Sequence, residues 1–124
     1  MIKCFVINLD RRKDRLEKIS SHLHKNHFKF ERFSAIDAEK ESLSELCKNT
    51  LQYGPMGKIS KGDLACFQSH YKLWKYIAEN ENYPILILED DSYISKNGFK
   101  LLKNIDWIPS DSNIIKCERF GNSR

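Results

Sequence analysis

No apolar run in this chain approaches the roughly 18 residues that a membrane-spanning helix needs. The opening Met1-Ile2-Lys3-Cys4-Phe5-Val6-Ile7-Asn8 is too short and too soon interrupted for a signal peptide, so a cytoplasmic location is the expectation. Cys4, Cys47, Cys66 and Cys117 contain no C-x-x-C pair, which sets aside a zinc knuckle and a dithiol redox motif. Reduced, mostly buried thiols are expected instead. Neither G-x-G-x-x-G nor G-x-x-x-x-G-K follows the first apolar segment, so no Rossmann dinucleotide site and no P-loop is signalled. Internal repeats and low-complexity tracts are also lacking. With 40% hydrophobic and 31% charged residues, the disordered and collagen-like classes fall away.

What remains is the profile of one globular domain: 124 residues can bury a real core but are few for a two-substrate enzyme. The net charge of +4 is mild and permits an anionic ligand or a membrane surface without demanding either. Its distribution is uneven. Residues 1–33 hold nine basic side chains against four acids, which places the basic character near the amino end.

Cys4–Leu9 is rich in β-branched and aromatic residues and reads as a strand, after which Leu16, Ile19 and Leu23 recur at helical spacing. Phe28–Ile36 reads as a second strand ending at Asp37, followed by a polar helical or irregular stretch through Leu51 and a loop at Tyr53-Gly54-Pro55-Met56-Gly57. From Ser60 to Asn80 the pattern predicts a helix, with Leu64, Phe67, Tyr71, Trp74 and Ala78 in one apolar stripe, Ile77 beside it, and a capping box at Ser60-Lys61-Gly62-Asp63. A strand at Ile85–Leu88, a helix around Phe99–Asn104 and a last strand at Asn113–Cys117 complete the order. Strands alternating with helices predict an α/β fold with a mostly parallel sheet flanked by helices.

Three constellations can carry chemistry. In Pro84-Ile85-Leu86-Ile87-Leu88-Glu89-Asp90-Asp91, an aliphatic run suited to a strand covered on both faces drives into three carboxylates. The acid-x-acid pair Glu89 and Asp91 suits Mg2+ or Mn2+, while a solvated strand end or a helix N-cap is the alternative. At Asn8-Leu9-Asp10-Arg11-Arg12-Lys13-Asp14-Arg15 a strand passes into a helix whose first amides and arginines suit phosphate; a solvated first turn is the plainer reading. Ser69-His70 lies inside the long helix, where adjacent residues point about 100° apart and so do not form a nucleophile and base. A hydrogen-bonded structural histidine is expected there.

Taken in order, F-V-I-N-L-D-R-R-K-D-R (Phe5–Arg15), F-S-A-I-D-A (Phe33–Ala38), K-G-D-L-A-C-F-Q-S-H-Y-K-L-W (Lys61–Trp74) and I-L-I-L-E-D-D (Ile85–Asp91) resemble glycosyltransferase family 25, which includes lipooligosaccharide galactosyltransferases and collagen galactosyltransferase domains. The resemblance implies a GT-A-like fold and transfer of a sugar, commonly galactose from UDP-galactose, to a hydroxyl of a lipooligosaccharide or lipopolysaccharide glycan. It implies that Asp91 and Glu89 hold Mn2+ or Mg2+, that Asn8, Asp10, Arg11 and Arg15 face the nucleotide, that Asp37 meets base or ribose, and that Asp90 touches ribose or sugar. Ser69 and His70 then shape the site. In the family the catalytic domain continues past the acidic motif, so residues 1–124 are expected to form one donor-binding domain corresponding to the N-terminal part. Glu118, the only acid beyond Asp111, is the candidate base beside Asp91 as the second catalytic residue. A glycolipid acceptor, peripheral contact with the inner membrane and self-association through an uncovered apolar face are further expectations, and no nucleic acid is expected. A non-catalytic nucleotide-sugar-binding remnant is the alternative. A receiver-like phosphoacceptor is disfavoured, because its acids should follow the first strand.

Overall fold

The computed structural model describes residues 1–118, and its centre is a three-stranded parallel sheet in the order β2-β1-β5. The elements run β1 (Lys3–Asn8), α1 (Lys13–Lys25), β2 (Glu31–Ser34), α2 (Leu43–Leu46), β3 (Tyr53–Gly54), β4 (Gly57–Lys58), α3 (Lys61–Asn80), β5 (Ile85–Glu89) and α4 (Lys96–Lys103). The strand-helix alternation thus yields the expected α/β architecture.

Alternation along β1 builds a core on each side of the sheet. Cys4 and Val6, with Ile2, pack against Ile19 and Leu23 of α1 and Phe99 and Leu102 of α4. Phe5 and Ile7 face the other way, onto Leu73 of α3. β5 follows the same parity: Leu86 and Leu88 join the first cluster, Ile85 and Ile87 the second. This explains its unbroken aliphatic run, since both faces are covered. Its side chains are nonetheless only half-buried, because β5 pairs with β1 alone among the described residues. The central strand β1 is buried along Cys4–Asn8.

Serines set three helix starts. Ser42, Ser60 and Ser95 each hold extended backbone and accept the amide three residues on, at Glu45, Asp63 and Gly98. At the end of α1, His27 takes a left-handed conformation (φ 54), Phe28 N donates to Leu23 O and His27 N to His24 O, which is a Schellman closure. Phe28 is therefore buried under α1 instead of opening the second strand, and β2 begins only at Glu31.

Three expectations are corrected. The loop at Tyr53–Gly57 is a small antiparallel hairpin closed by Gly57 at φ +100, a conformation that favours glycine. The buried stripe of α3 is Leu64, Ala65, Ser69 and Leu73, whereas Trp74 and Tyr76 are about two-fifths exposed. Sidedness is set by what approaches the helix: Leu46 and the Ile36 backbone meet Leu64, Ala65 and Ser69, leaving Phe67 and Tyr71 half-buried and Trp74 exposed. Finally, Asn113–Cys117 is not a strand; no ladder partner meets it among the described residues, and Ile114 is 78% exposed.

Candidate active site

The carboxyl ends of the three parallel strands converge, and there an α/β sheet places its ligands. Asn8, last in β1 and only 2% exposed, is the hub. Its Nδ2 donates to Asp90 Oδ2 (2.8 Å) and Arg12 O (3.0 Å), and its Oδ1 accepts from Arg32 Nε (2.9 Å). The second Asp90 oxygen lies 3.3 Å from Arg15 Nη1. Asp90 is thus spent on joining the ends of β1 and β5 to the first turns of α1.

On the β2 side, Asp10 accepts from Arg32 and from Ser34 Oγ (2.7 Å), and the Arg32 contact holds its carboxyl below the usual range. Asp37 lies beyond the end of β2, in the following loop, and is buried. It accepts from Arg11 Nε (2.9 Å) and from the Glu39 amide (3.0 Å), the first of which chiefly depresses its pKa. Arg11 also lies 3.5 Å from Glu39. Arg11 and Arg15 keep 45% and 43% of their side-chain surface exposed, so both guanidinium groups remain open to an anion.

On the β5 side, α3 supplies Cys66 and His70, one turn apart on one face. His70 Nε2 lies 3.0 Å from Glu89 Oε1, and Cys66 Sγ donates to the same oxygen at 3.3 Å. The His70 contact lowers the Glu89 pKa despite partial burial. Partial desolvation first, although the residue keeps an exposed surface, and the Glu89 carboxylate second, push the Cys66 thiol up to about 11. Cys66 and Cys117 are exposed, against the expectation of mostly buried thiols; Cys4 is buried and all four are free. Ser69 Oγ donates to Ala65 O (2.7 Å) and accepts from Ile36 N (2.9 Å), tying the loop after β2 to α3.

Asp91 is exposed, and among the described residues its side chain makes no hydrogen bond or ion pair. Glu118 is also exposed and pairs with Lys116 at 3.6 Å; no contact joins it to the strand-end cluster among the described residues. The geometry therefore brings together Asn8, Arg15 and Asp90, and separately Arg11 and Asp37. Arg32 and Cys66 were missed by sequence reasoning. For Cys66 a signal existed in its i, i+4 spacing to His70; for Arg32 only its place two residues before the end of a strand hinted at the role.

The comparisons with known proteins agree with the sequence blocks that converge here. A family model described as "Glycosyltransferase family 25 (LPS biosynthesis protein)" matches residues 1–122. A Haemophilus influenzae protein named as a glycosyltransferase is 34% identical over 118 residues, 94% of this chain and 42% of the relative. Human procollagen galactosyltransferase 2 is 30% identical over 126 residues, covering 93% of this chain and 20% of the relative. The lipooligosaccharide biosynthesis protein lic2B of Haemophilus influenzae is 31% identical over 123 residues, 95% of this chain and 46% of the relative. The chain thus spans less than half the length of each of these relatives. With the match running through all four sequence blocks and both sides of the strand-end cluster, the chain belongs to glycosyltransferase family 25.

Proposed function

We propose that this chain forms the donor-binding part of a GT-A-like glycosyltransferase that moves galactose from UDP-galactose to a hydroxyl of a lipooligosaccharide or lipopolysaccharide glycan, at the cytoplasmic face of the inner membrane. The functions for which two relatives are named, galactosyl transfer and lipooligosaccharide biosynthesis, support the sugar and the acceptor. Among the described residues no helix is long and apolar enough to cross a membrane, and the basic excess of residues 1–33 favours peripheral contact with an anionic surface.

The observation that carries the reading is the carboxylate of Asp91, without a hydrogen-bond or ion-pair partner among the described residues, beside a fixed Asp90 at the carboxyl end of a parallel sheet. Oxygen donors suit Mn2+ or Mg2+, so the residues fit such an ion: Asp91 would hold it, and Glu89 has its Oε2 to offer, Oε1 being held by His70 and Cys66. When bound, the ion supplies Lewis-acid stabilisation of the UDP leaving group. Arg11 and Arg15 orient the diphosphate by charge-assisted hydrogen bonds, Asp10 and Asp37 meet ribose and base, and Asn8 keeps Asp90 and Arg32 in place.

Release of UDP from UDP-galactose in the presence of a lipooligosaccharide acceptor tests the reading. Asp91→Asn should abolish metal-dependent UDP binding and turnover together, while Glu118→Gln, if Glu118 is the base, should remove turnover alone. UDP binding with no release in the unsubstituted chain would support the alternative of a binding module. Full activity in Asp91→Asn would sink the metal assignment.

A further inference from the structure

Three ligating side chains of three different kinds meet at the carboxyl end of β5. The thiol of Cys66, the imidazole of His70 and the carboxylate of Glu89 have donor atoms that all lie within 4.8 Å of one another. Two come from one face of α3, a helical turn apart, and the third arrives from the sheet. We propose that Cys66, His70 and Glu89, through Oε1, form a binding site for a borderline transition-metal ion, best fitted by Zn2+, which leaves Glu89 Oε2 to the all-oxygen hard-cation position at Asp91.

Distances decide how much the site must move. Zinc bonds of about 2.3 Å to sulfur and about 2.0–2.2 Å to nitrogen and oxygen, held at tetrahedral angles, set neighbouring donors roughly 3.4–3.6 Å apart. Glu89 Oε1 already lies 3.0 Å from His70 Nε2 and 3.3 Å from Cys66 Sγ. Those two separations need change by only a few tenths of an ångström. The donor set decides the metal. Sulfur, nitrogen and oxygen together suit Zn2+ or Co2+, whereas Mg2+ and Mn2+ prefer oxygen and gain little from a thiolate.

Binding also balances chemically. The ion takes thiolate, neutral imidazole and carboxylate, and the Cys66 proton leaves to solvent, so one proton is released per ion bound. Three protein ligands leave a fourth position for water or another oxygen, as in open zinc sites. The exposure of Cys66 and Glu89 provides an entry path.

Titration of the reduced, purified chain with Co2+ tests this without any assay of sugar transfer. A saturating thiolate-to-cobalt charge-transfer band with tetrahedral d–d bands is expected at one ion per chain, and Zn2+ should displace it. Affinity should fall in Cys66→Ser and in His70→Gln by at least the about tenfold that loss of an outer-shell partner alone costs. The band should survive in Cys117→Ser and in Asp91→Asn. Its absence in the unsubstituted chain, or its persistence in Cys66→Ser, would overturn the proposal. Should either ligand variant lose its far-ultraviolet dichroism, alkylation of the unsubstituted chain tests the same site. Zn2+, but not excess Mg2+, should shield Cys66 from N-ethylmaleimide while Cys117 stays reactive, and equal labelling of Cys66 with and without Zn2+ would overturn the site.

Discussion

β1 and β5 lie side by side with matched parity, yet they end differently. β1 is buried along Cys4–Asn8 and paired on both edges, and the polar groups at and after its end are all paired within the protein: Asn8 with Asp90 and Arg32, Asp10 with Arg32 and Ser34, Arg11 with Asp37. β5 is half-buried and paired with β1 alone among the described residues, and it ends in three carboxylates that are unequally engaged. Glu89 and Asp90 have partners, while Asp91 has none among the described residues. The β1 end is a network of paired groups whose arginines stay part-exposed, and the β5 end adds a carboxylate, Asp91, that is uncommitted among the described residues.

The largest difference between the two strands should appear in core stability. Ile7→Ala on buried β1 should cost about 3–5 kcal/mol, and Leu88→Ala on half-buried β5 about 1–2 kcal/mol, read by urea denaturation. Comparable losses would remove the contrast between a buried and a half-buried strand.

Next in size is the hub. Asn8→Leu keeps the approximate volume but strands Asp90 and Arg32 without their amide partner, which should cost about 1–3 kcal/mol. UDP binding should weaken with it, since Asp90 loses one of its two anchors. An unchanged denaturation midpoint would show that the hub is dispensable.

A smaller effect, of opposite sign, is expected at the turn that feeds β2. His27 holds a left-handed conformation that costs a non-glycine residue about 1 kcal/mol, so His27→Gly should raise stability by up to that amount. Destabilisation would mean that the imidazole itself matters at that turn.

The smallest effect is on the acid limb of stability. Glu89 has a pKa lowered in the fold, first by the His70 hydrogen bond. A depressed carboxyl contributes stability that is fully present above its unfolded value, near 4.5, and is lost as pH falls through the lower folded value. Glu89→Gln should therefore flatten the decline of stability below about pH 4.5, followed by thermal melts across pH. An unaltered slope would show that the strand-end pair is not coupled to folding.

Much of the frame was legible in the chain itself. The aliphatic run of β5, the serine cap of α3 and the β-branched opening segment report local preferences that tertiary structure did not override. Less legible was whatever depends on a distant partner. Which face of α3 is buried was decided by Leu46 and the Ile36 backbone, and the Asn113–Cys117 pattern found no partner among the described residues with which to become a strand. At the site, the acidic triplet was visible, but its division of labour was not. Nothing local says that Asn8 captures Asp90 across 82 positions, or that Glu89 turns toward Cys66 and His70.

Calorimetric titration with UDP in the presence and absence of Mn2+, on the unsubstituted chain and on Asp91→Asn, is the most direct test of the contrast between the two strand ends. Mn2+-dependent UDP binding that disappears in Asp91→Asn, with the fold intact by circular dichroism, is the predicted result. UDP binding of equal affinity in both proteins, or no Mn2+-dependent binding in a folded unsubstituted chain, would contradict the assignment of the end of β5 as the donor and metal site.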